Sequence, residues 1–242
     1  MMNTINASGA DSTEINQRLS QEDGEFFIEG CLGQRFLGAG MGSGKHIRIS
    51  GIPGNALGAY LNGAEIETQG NAQDAVGDTM NAGRIIIHGN VGDTAGYAMR
   101  GGKIFIRGNA GYRTGVHMKE YQRHIPVIVI GGRAGSFLGE YQAGGLIIVL
   151  GLHDDGKPIV GGFPCTGMYG GKVFLRGDAS HVSFPPQVTL RPAEQGDMDE
   201  ISGHLNDYCR VFGLDSARIL ASPFTVITPN SKNPYKQMYV TN

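Results

Sequence analysis

The sequence predicts an all-β fold: a single-stranded, right-handed parallel β-helix, a solenoid of about 7–8 coils with a short C-terminal helical tail. Three observations predict it. Glycines recur at a fixed interval, a short apolar/polar alternation precedes each of them, and the pattern G-x-x-G-x-x-x-G follows.

The interval comes first, because an overlooked repeat misassigns the whole architecture. Gly51, Gly70, Gly89 and Gly108 are 19 residues apart, and Gly30 precedes them by 21. Gly131, Gly151 and Gly177 continue the series at 23, 20 and 26, where Tyr121–His124 and His153–Lys157 read as insertions. A period this short cannot hold a βαβ unit, and it carries no helical stripe. A propeller or sandwich would require hairpin turns at closer spacing.

The strand comes next. The fourth and second residues before each glycine are Phe26/Ile28, Ile47/Ile49, Ile66/Thr68, Ile85/Ile87, Ile104/Ile106, Val127/Val129, Ile147/Val149 and Val173/Leu175. Only Thr68 is not apolar, so the alternation assigns these positions to one inward face.

The corners follow. The pattern reads Gly51-Gly54-Gly58, Gly89-Gly92-Gly96 and Gly108-Gly111-Gly115, and it recurs one residue out of step as Gly132-Gly135-Gly139. Glycine supplies left-handed corners and lets neighbouring coils approach closely. Three residues beyond the last glycine lie Met41, Leu61, Met80, Met99 and Met118, expected as a second inward column within another sheet. Eight coils stacked ~4.8 Å apart would span roughly 35 Å.

The outward column carries the functional expectation. Three residues before each anchor glycine lie Phe27, Arg48, Glu67, Ile86, Phe105, Ile128, Ile148 and Phe174. Arg48 and Glu67 read as solvated. Ile86, Phe105, Ile128, Ile148 and Phe174 form an apolar stack outside the coil, which requires a cover. The cover is either the chain's own tail or another protein, and these five are the candidate interface.

Flanking segments differ in kind. Residues 1–24 read as a polar N-terminal segment, 25–180 as the β-helix, and 181–242 as a C-terminal extension. Pro185, Pro186 and Pro192 mark a non-helical connector. Asp197 to Phe212 reads as an amphipathic helix with Asp197 as N-cap, Glu200 as its capping-box partner and Gly213 at the C-terminal end. A short helix over 216–221, a strand over 224–228 and an irregular end with Tyr235 and Tyr239 as anchors complete the tail.

The bulk numbers exclude several classes. Glycine numbers 40 of 242 residues without a Gly-X-Y period, and 40% hydrophobic content supports a core, so neither collagen nor disorder fits. With 20 basic and 22 acidic residues, electrostatic binding of nucleic acid or membrane is not expected. No leader is read in Met1–Asp23, and the apolar run Ile125–Ile130 is far too short to span a bilayer. A cytoplasmic protein is expected. Cys31, Cys165 and Cys209 form no CxxC pair and read as small buried hydrophobes.

Chemical motifs are weak. Gly38-Ala-Gly-Met-Gly-Ser-Gly-Lys45 resembles a phosphate loop, but Ala39 and His46 stand where the pattern requires Gly and Ser or Thr, and no helix follows. The histidines, 46, 88, 117, 124, 153, 181 and 204, form no metal-binding spacing. Loops around His117, His153 and Asp154-Asp155 are the places where an independent ligand-binding β-helix would carry a site. No catalytic, cofactor-binding or metal-ligating residue is assigned.

The G-xx-G-xxx-G coils, from about Phe26 through Arg176, resemble the C-terminal β-helix domain of the glutamate synthase large subunit. More distantly they resemble the β-helical subunit of formylmethanofuran dehydrogenase. The tail, Met198-Asp-Glu-Ile to Tyr208-Cys-Arg-Val-Phe-Gly213 and then Ala217-Arg-Ile-Leu220, is similar to the glutamate synthase end. Pro229 to Tyr235 is similar to free-standing versions, found as separate subunits of split glutamate synthases and of N-methylglutamate synthase-like enzymes. The resemblance implies a non-catalytic scaffold. A class II glutamine amidotransferase subunit would release ammonia, and an FMN and iron–sulfur subunit would reduce the imine formed on a 2-oxo acid. Met1-Met2 offers no Cys nucleophile, and the three cysteines cannot ligate a cluster. Self-association is kept open beside these partners, as is a formylmethanofuran dehydrogenase-type complex.

Overall fold

The computed structural model describes residues 2–153 and 156–230. Strands β2 (Gly24–Leu32), β3 (Lys45–Ile52), β4 (Asn62–Thr68), β5 (Ala82–Ile87), β6 (Lys103–Ile106), β7 (Val127–Ile130), β8 (Ala143–Val149) and β9 (Gly170–Arg176) pair in sequence order, all parallel. This is a parallel β-solenoid of about seven turns. Each coil adds one strand to a single long sheet, and equivalent side chains stack into columns.

Register fixes which side chains face inward. Ile47, Ile66, Ile85, Ile104, Ile128, Ile147 and Val173 form one column, and Ile49, Thr68, Ile87, Ile106, Ile130, Val149 and Leu175 the next. All are buried in one continuous core. The sequence reading of β7 is therefore one residue out. Gly132, not Gly131, aligns with the other anchors, its N–H donating to the Gly108 carbonyl at 2.8 Å. Ile128 and Ile130 consequently point inward, and Val127 and Val129 point outward.

The second inward column is present but does not lie in a sheet. Met41, Leu61, Met80, Met99 and Met118 are buried within successive turns. Gln142 takes the next rung, fully buried, its Nε2 donating to the carbonyls of Gly144 (3.2 Å) and Gly145 (3.0 Å). A third, minimal ladder of single parallel bridges joins Ala72, Val91, Ala110, Ala134 and Val160.

Close stacking explains the glycines that open each corner. A Cβ on Gly92 would lie 2.1 Å from Asp74 Oδ1, and one on Gly111 would lie 2.3 Å from Asp93 Oδ1. Those oxygens accept the N–H groups of Asp93 (2.9 Å) and Tyr112 (2.8 Å) in the following coil. Asn71, Asn90 and Asn109 do the same for Asn90, Asn109 and Arg133, each at 2.8 Å. The side-chain ladders satisfy backbone donors that the strand ladder does not reach.

Both ends of the solenoid are closed. Residues 1–24, read from sequence only as a polar segment, supply strand β1 (Asn3–Asn6), parallel to β2, and helix α1 (Ser12–Gln21). Asp11 caps α1 by accepting from the Glu14 N–H at 2.9 Å, and Ile15 and Leu19 are buried in the core. At the other end, β11 (Phe224–Pro229) pairs antiparallel with β9, and β10 (Val188–Pro192) with β11. β10 falls in the stretch read as a connector; as the outermost strand it tolerates the proline that ends it.

Candidate interaction surfaces and a charged groove

The outward apolar column is covered by the chain itself. Ile86, Phe105, Val129, Ile148 and Phe174 pack in a second buried cluster with Ile201, Leu205, Tyr208, Phe212 and Ile219. These come from helices α2 (Gln195–Phe212) and α3 (Ser216–Leu220). The candidate interface is thus an internal contact, not an exposed surface. Ile128 does not belong to it, because it faces the opposite side of the sheet. The Tyr208 ring meets Phe105 edge-on at 5.6 Å, and its hydroxyl donates to the Ile106 carbonyl at 3.1 Å. Gly131 makes room for that hydroxyl, since a Cβ there would lie 2.2 Å from it.

Charge fixes the two ends of α2. Lys103 pairs with Asp207 at 2.7 Å. Helix α2 starts two residues earlier than the sequence suggests: Glu194 is the N-cap, and Asp197 is the N3 partner whose carboxylate accepts the Glu194 N–H at 3.0 Å. Gly213 ends the helix in the left-handed conformation, φ 64°. Asp197 is 5% exposed and is gripped by Arg191 at 2.5 and 2.9 Å. The Arg191 guanidinium holds its carboxyl down at about 2. A depressed folded pKa stabilises above the unfolded value near 4 and loses that contribution as pH falls through the folded one. Acid denaturation should therefore be steeper between roughly pH 4 and 2 in the natural chain than in Asp197→Asn, by about 2 kcal/mol. Parallel acid titrations followed by circular dichroism check this.

The corner that follows the anchor glycines is strained, and part of it is exposed. Phe36, Ala56, Ala75, Thr94, Arg113, Phe137 and Phe163 all have φ between 54° and 63°. Tyr60, Thr79, Ala98, His117 and Tyr141 repeat the feature four residues further on. Such residues cost of order 1 kcal/mol each and persist only where neighbours over-determine them. From Phe36 to Tyr141 each N–H donates to the next coil, as Arg113 does to Ser136 (2.9 Å) and His117 to Glu140 (3.0 Å). The side chains they aim outward stack: His117 on Tyr141 at 5.2 Å, Phe137 on Phe163 at 5.3 Å, Arg113 over Phe137 at 5.0 Å. Phe163 is 68% exposed and Tyr112 55%.

A groove of about 470 Å³ crosses the starts of β3 to β6. It is lined by Gly63, Gly83 and Gly102, by Lys45, His46, Glu65, Arg84 and Lys103, and by Arg123, His124 and Ile125. Arg84 Nε donates to Glu65 at 2.7 Å.

Coils of this geometry have counterparts among known proteins. A family model described as the GXGXG motif matches residues 24–231. The chain belongs to the GXGXG family, that of the glutamate synthase C-terminal domain. It is also 38% identical, over 97% of its own length and 95% of the other's, to the uncharacterized protein MJ1350 of Methanocaldococcus jannaschii.

The GXGXG glycines have structural roles in this chain. Gly58, Gly96 and Gly115 have φ of 63°, 70° and 73°, and a Cβ on each would press into an inward isoleucine Cδ1, that of Ile85, Ile128 and Ile147 respectively. Gly51, Gly54, Gly89, Gly108, Gly132 and Gly135 face the backbone or Asn side chain of the coil before. Gly139 would meet Gln142 Oε1 at 2.9 Å.

The weaker sequence candidates resolve individually. Lys45, the end of the phosphate-loop-like stretch, opens β3 and donates to the Glu22 carbonyl and to Asp23 at 3.0 Å. Cys31, Cys165 and Cys209 are buried, and burial pushes the Cys165 thiol up to about 12. Among the described residues no group of three His, Cys, Asp or Glu could hold a metal, and no helix is long and apolar enough to cross a membrane. His153 is exposed, its Nε2 3.4 Å from the Arg107 carbonyl. Asp154, Asp155, Tyr235 and Tyr239 lie outside the described residues. Sequence reasoning missed the aromatic corner. Its signal was available in the recurrence of Phe137 and Phe163, and of His117 and Tyr141, at coil spacing.

Proposed function

We propose that this chain is the structural and assembly subunit of a glutamate synthase-like enzyme of the cytoplasm. In this reading glutamine-dependent amination of a 2-oxo acid is carried out on partner subunits, a class II glutamine amidotransferase and an FMN and iron–sulfur synthase subunit. The observation that carries it is the family match over residues 24–231, which leaves nearly the whole chain as GXGXG coils and tail. The aromatic corner supports it physically. Exposed Tyr, Phe and Arg are the side chains that dominate binding energy at protein interfaces. Stacked as Phe137 and Phe163 are at 5.3 Å, they lose less freedom on association than isolated surface side chains would.

Gentle affinity purification of the tagged chain from its native cell, with mass spectrometry and a visible spectrum, tests the reading. A yellow-brown eluate containing both partners is expected. A colourless chain eluting alone would overturn it, and a molybdenum or tungsten protein in their place would redirect it to a formylmethanofuran dehydrogenase-type complex. Phe163→Asn adds a surface-specific test, because Asn tolerates the left-handed conformation of residue 163 (φ 57°). Partner affinity should drop roughly 30-fold, about 2 kcal/mol, with an unchanged melting temperature.

A further inference from the structure

We propose that the groove across the starts of β3 to β6 is a binding site for a small carboxylate anion, seated on the Gly102 N–H with Arg123 beside it. The argument begins with a comparison between coils. Lys103, Val127 and Leu146 are register partners, so Gly102 and Gly145 occupy equivalent corners immediately before them. At Gly145 the chain supplies its own anion: Glu120 Oε1 accepts the Gly145 N–H at 3.0 Å. At Gly102 no residue does so: its N–H has no acceptor among the described residues, and Gly102 lines the groove.

The surroundings suit an anion. Four cationic side chains line the groove, Lys45, Arg84, Lys103 and Arg123, against one carboxylate, Glu65. Three of the cations already have partners: Asp23 for Lys45, Glu65 for Arg84 and Asp207 for Lys103. Arg123 has no ion-pair partner among the described residues, and its guanidinium is built for two-point contact with a carboxylate. The insertion Tyr121–His124 positions it, closed on itself by the Tyr121 and His124 backbones at 3.0 and 3.2 Å and packed on Gly101. The volume, about 470 Å³, fits a metabolite-sized molecule. Among the described residues, one unpaired cation beside one free N–H makes a short carboxylate a better match than a polyanion.

The chemistry could come from a free dicarboxylate or from an acidic residue of a bound polypeptide. Calorimetric titration of the full chain at low salt with succinate, with an acetylated Glu-Gly-Glu peptide and with inorganic phosphate separates these. Millimolar or tighter binding of succinate or of the peptide is expected, with the tighter of the two naming the source. Arg123→Ala should weaken it roughly tenfold, whereas Arg218→Ala, on the exposed face of the tail, should not. Arg123 is exposed, so its variant folds. No binding of either carboxylate, binding unchanged in Arg123→Ala, or phosphate binding as tight as succinate would each overturn the proposal. None of these outcomes depends on the assembly role, because the isolated chain is tested.

Discussion

Gly51→Ala should destabilise the chain by about 3–5 kcal/mol, a large share of the 5–15 kcal/mol that holds a typical domain together. Two independent costs fall on this one residue. Its φ of +113° lies where a side chain is strained, at about 1–2 kcal/mol. A Cβ would also sit 2.0 Å from the carbonyl oxygen of Cys31 and 2.9 Å from its carbon. That neighbour is backbone, locked in register with Gly51 between β2 and β3, so it cannot rotate away. Gly33→Ala is the matched control: φ is +81° but nothing lies within 4 Å. It should lose only the conformational part, about 1–2 kcal/mol. Urea unfolding of the two variants beside the natural chain measures both. Equal losses would mean that coil-to-coil contact does not set the glycine requirement.

The same stacking explains what could be read in advance. A period of 19 residues survives in sequence because every coil meets the same neighbour, so Ile47, Ile66, Ile85 and Ile104 are constrained alike. Misreading began where the constraint is local. Gly131 and Gly132 are adjacent, and only the hydrogen bond from Gly132 to Gly108 identifies the anchor. Gly131 is glycine for a different reason, the Tyr208 hydroxyl lying against it. That slip of one residue exchanged Ile128 for Val129, as any register error in a strand must.

The Met column was legible as interior but not as turns. Inwardness follows from spacing alone, while the turn conformation follows from strained residues such as Thr94 and Ala98, whose identity gives no warning. The N-terminal strand β1 was hidden because only Ile5 of its four residues is apolar and buried. Of the candidate surfaces, the need for a cover over Ile86, Phe105, Ile148 and Phe174 was readable, but not its owner. An apolar column and an amphipathic helix in one chain specify complementary faces, and only the connecting chain path decides whether they meet. The groove was unreadable for a related reason: Lys45, Arg84, Lys103 and Arg123 are far apart in sequence, and only register gathers them.

Tyr208→Ala should loosen the whole tail, at a cost of about 3–5 kcal/mol. The ring is fully buried, in edge contact with Phe105 and, at 4.7 Å, with Phe212, so truncation opens a cavity at the centre of the α2 contact. Tyr208→Phe separates ring from hydroxyl. It keeps the packing and loses one hydrogen bond, and the Ile106 carbonyl still accepts from the Gly131 N–H at 2.7 Å. That variant should therefore lose only about 1 kcal/mol. Arg210→Ala, on the exposed side of the same helix, should stay within about 0.5 kcal/mol of the natural chain. Loosening has a local signature as well. The sheet face under α2 carries Ile86, Phe105, Val129, Ile148 and Phe174 side by side, an apolar surface that cannot remain monomeric in water once uncovered. Limited proteolysis should then cut Tyr208→Ala first within residues 178–187, between β9 and β10, and light scattering should rise before the solenoid's own melting transition. If the tail instead stayed protected while the melting temperature fell, α2 and the coils would form one cooperative unit, and the helix would have to be counted as part of the β-solenoid core rather than as its lid.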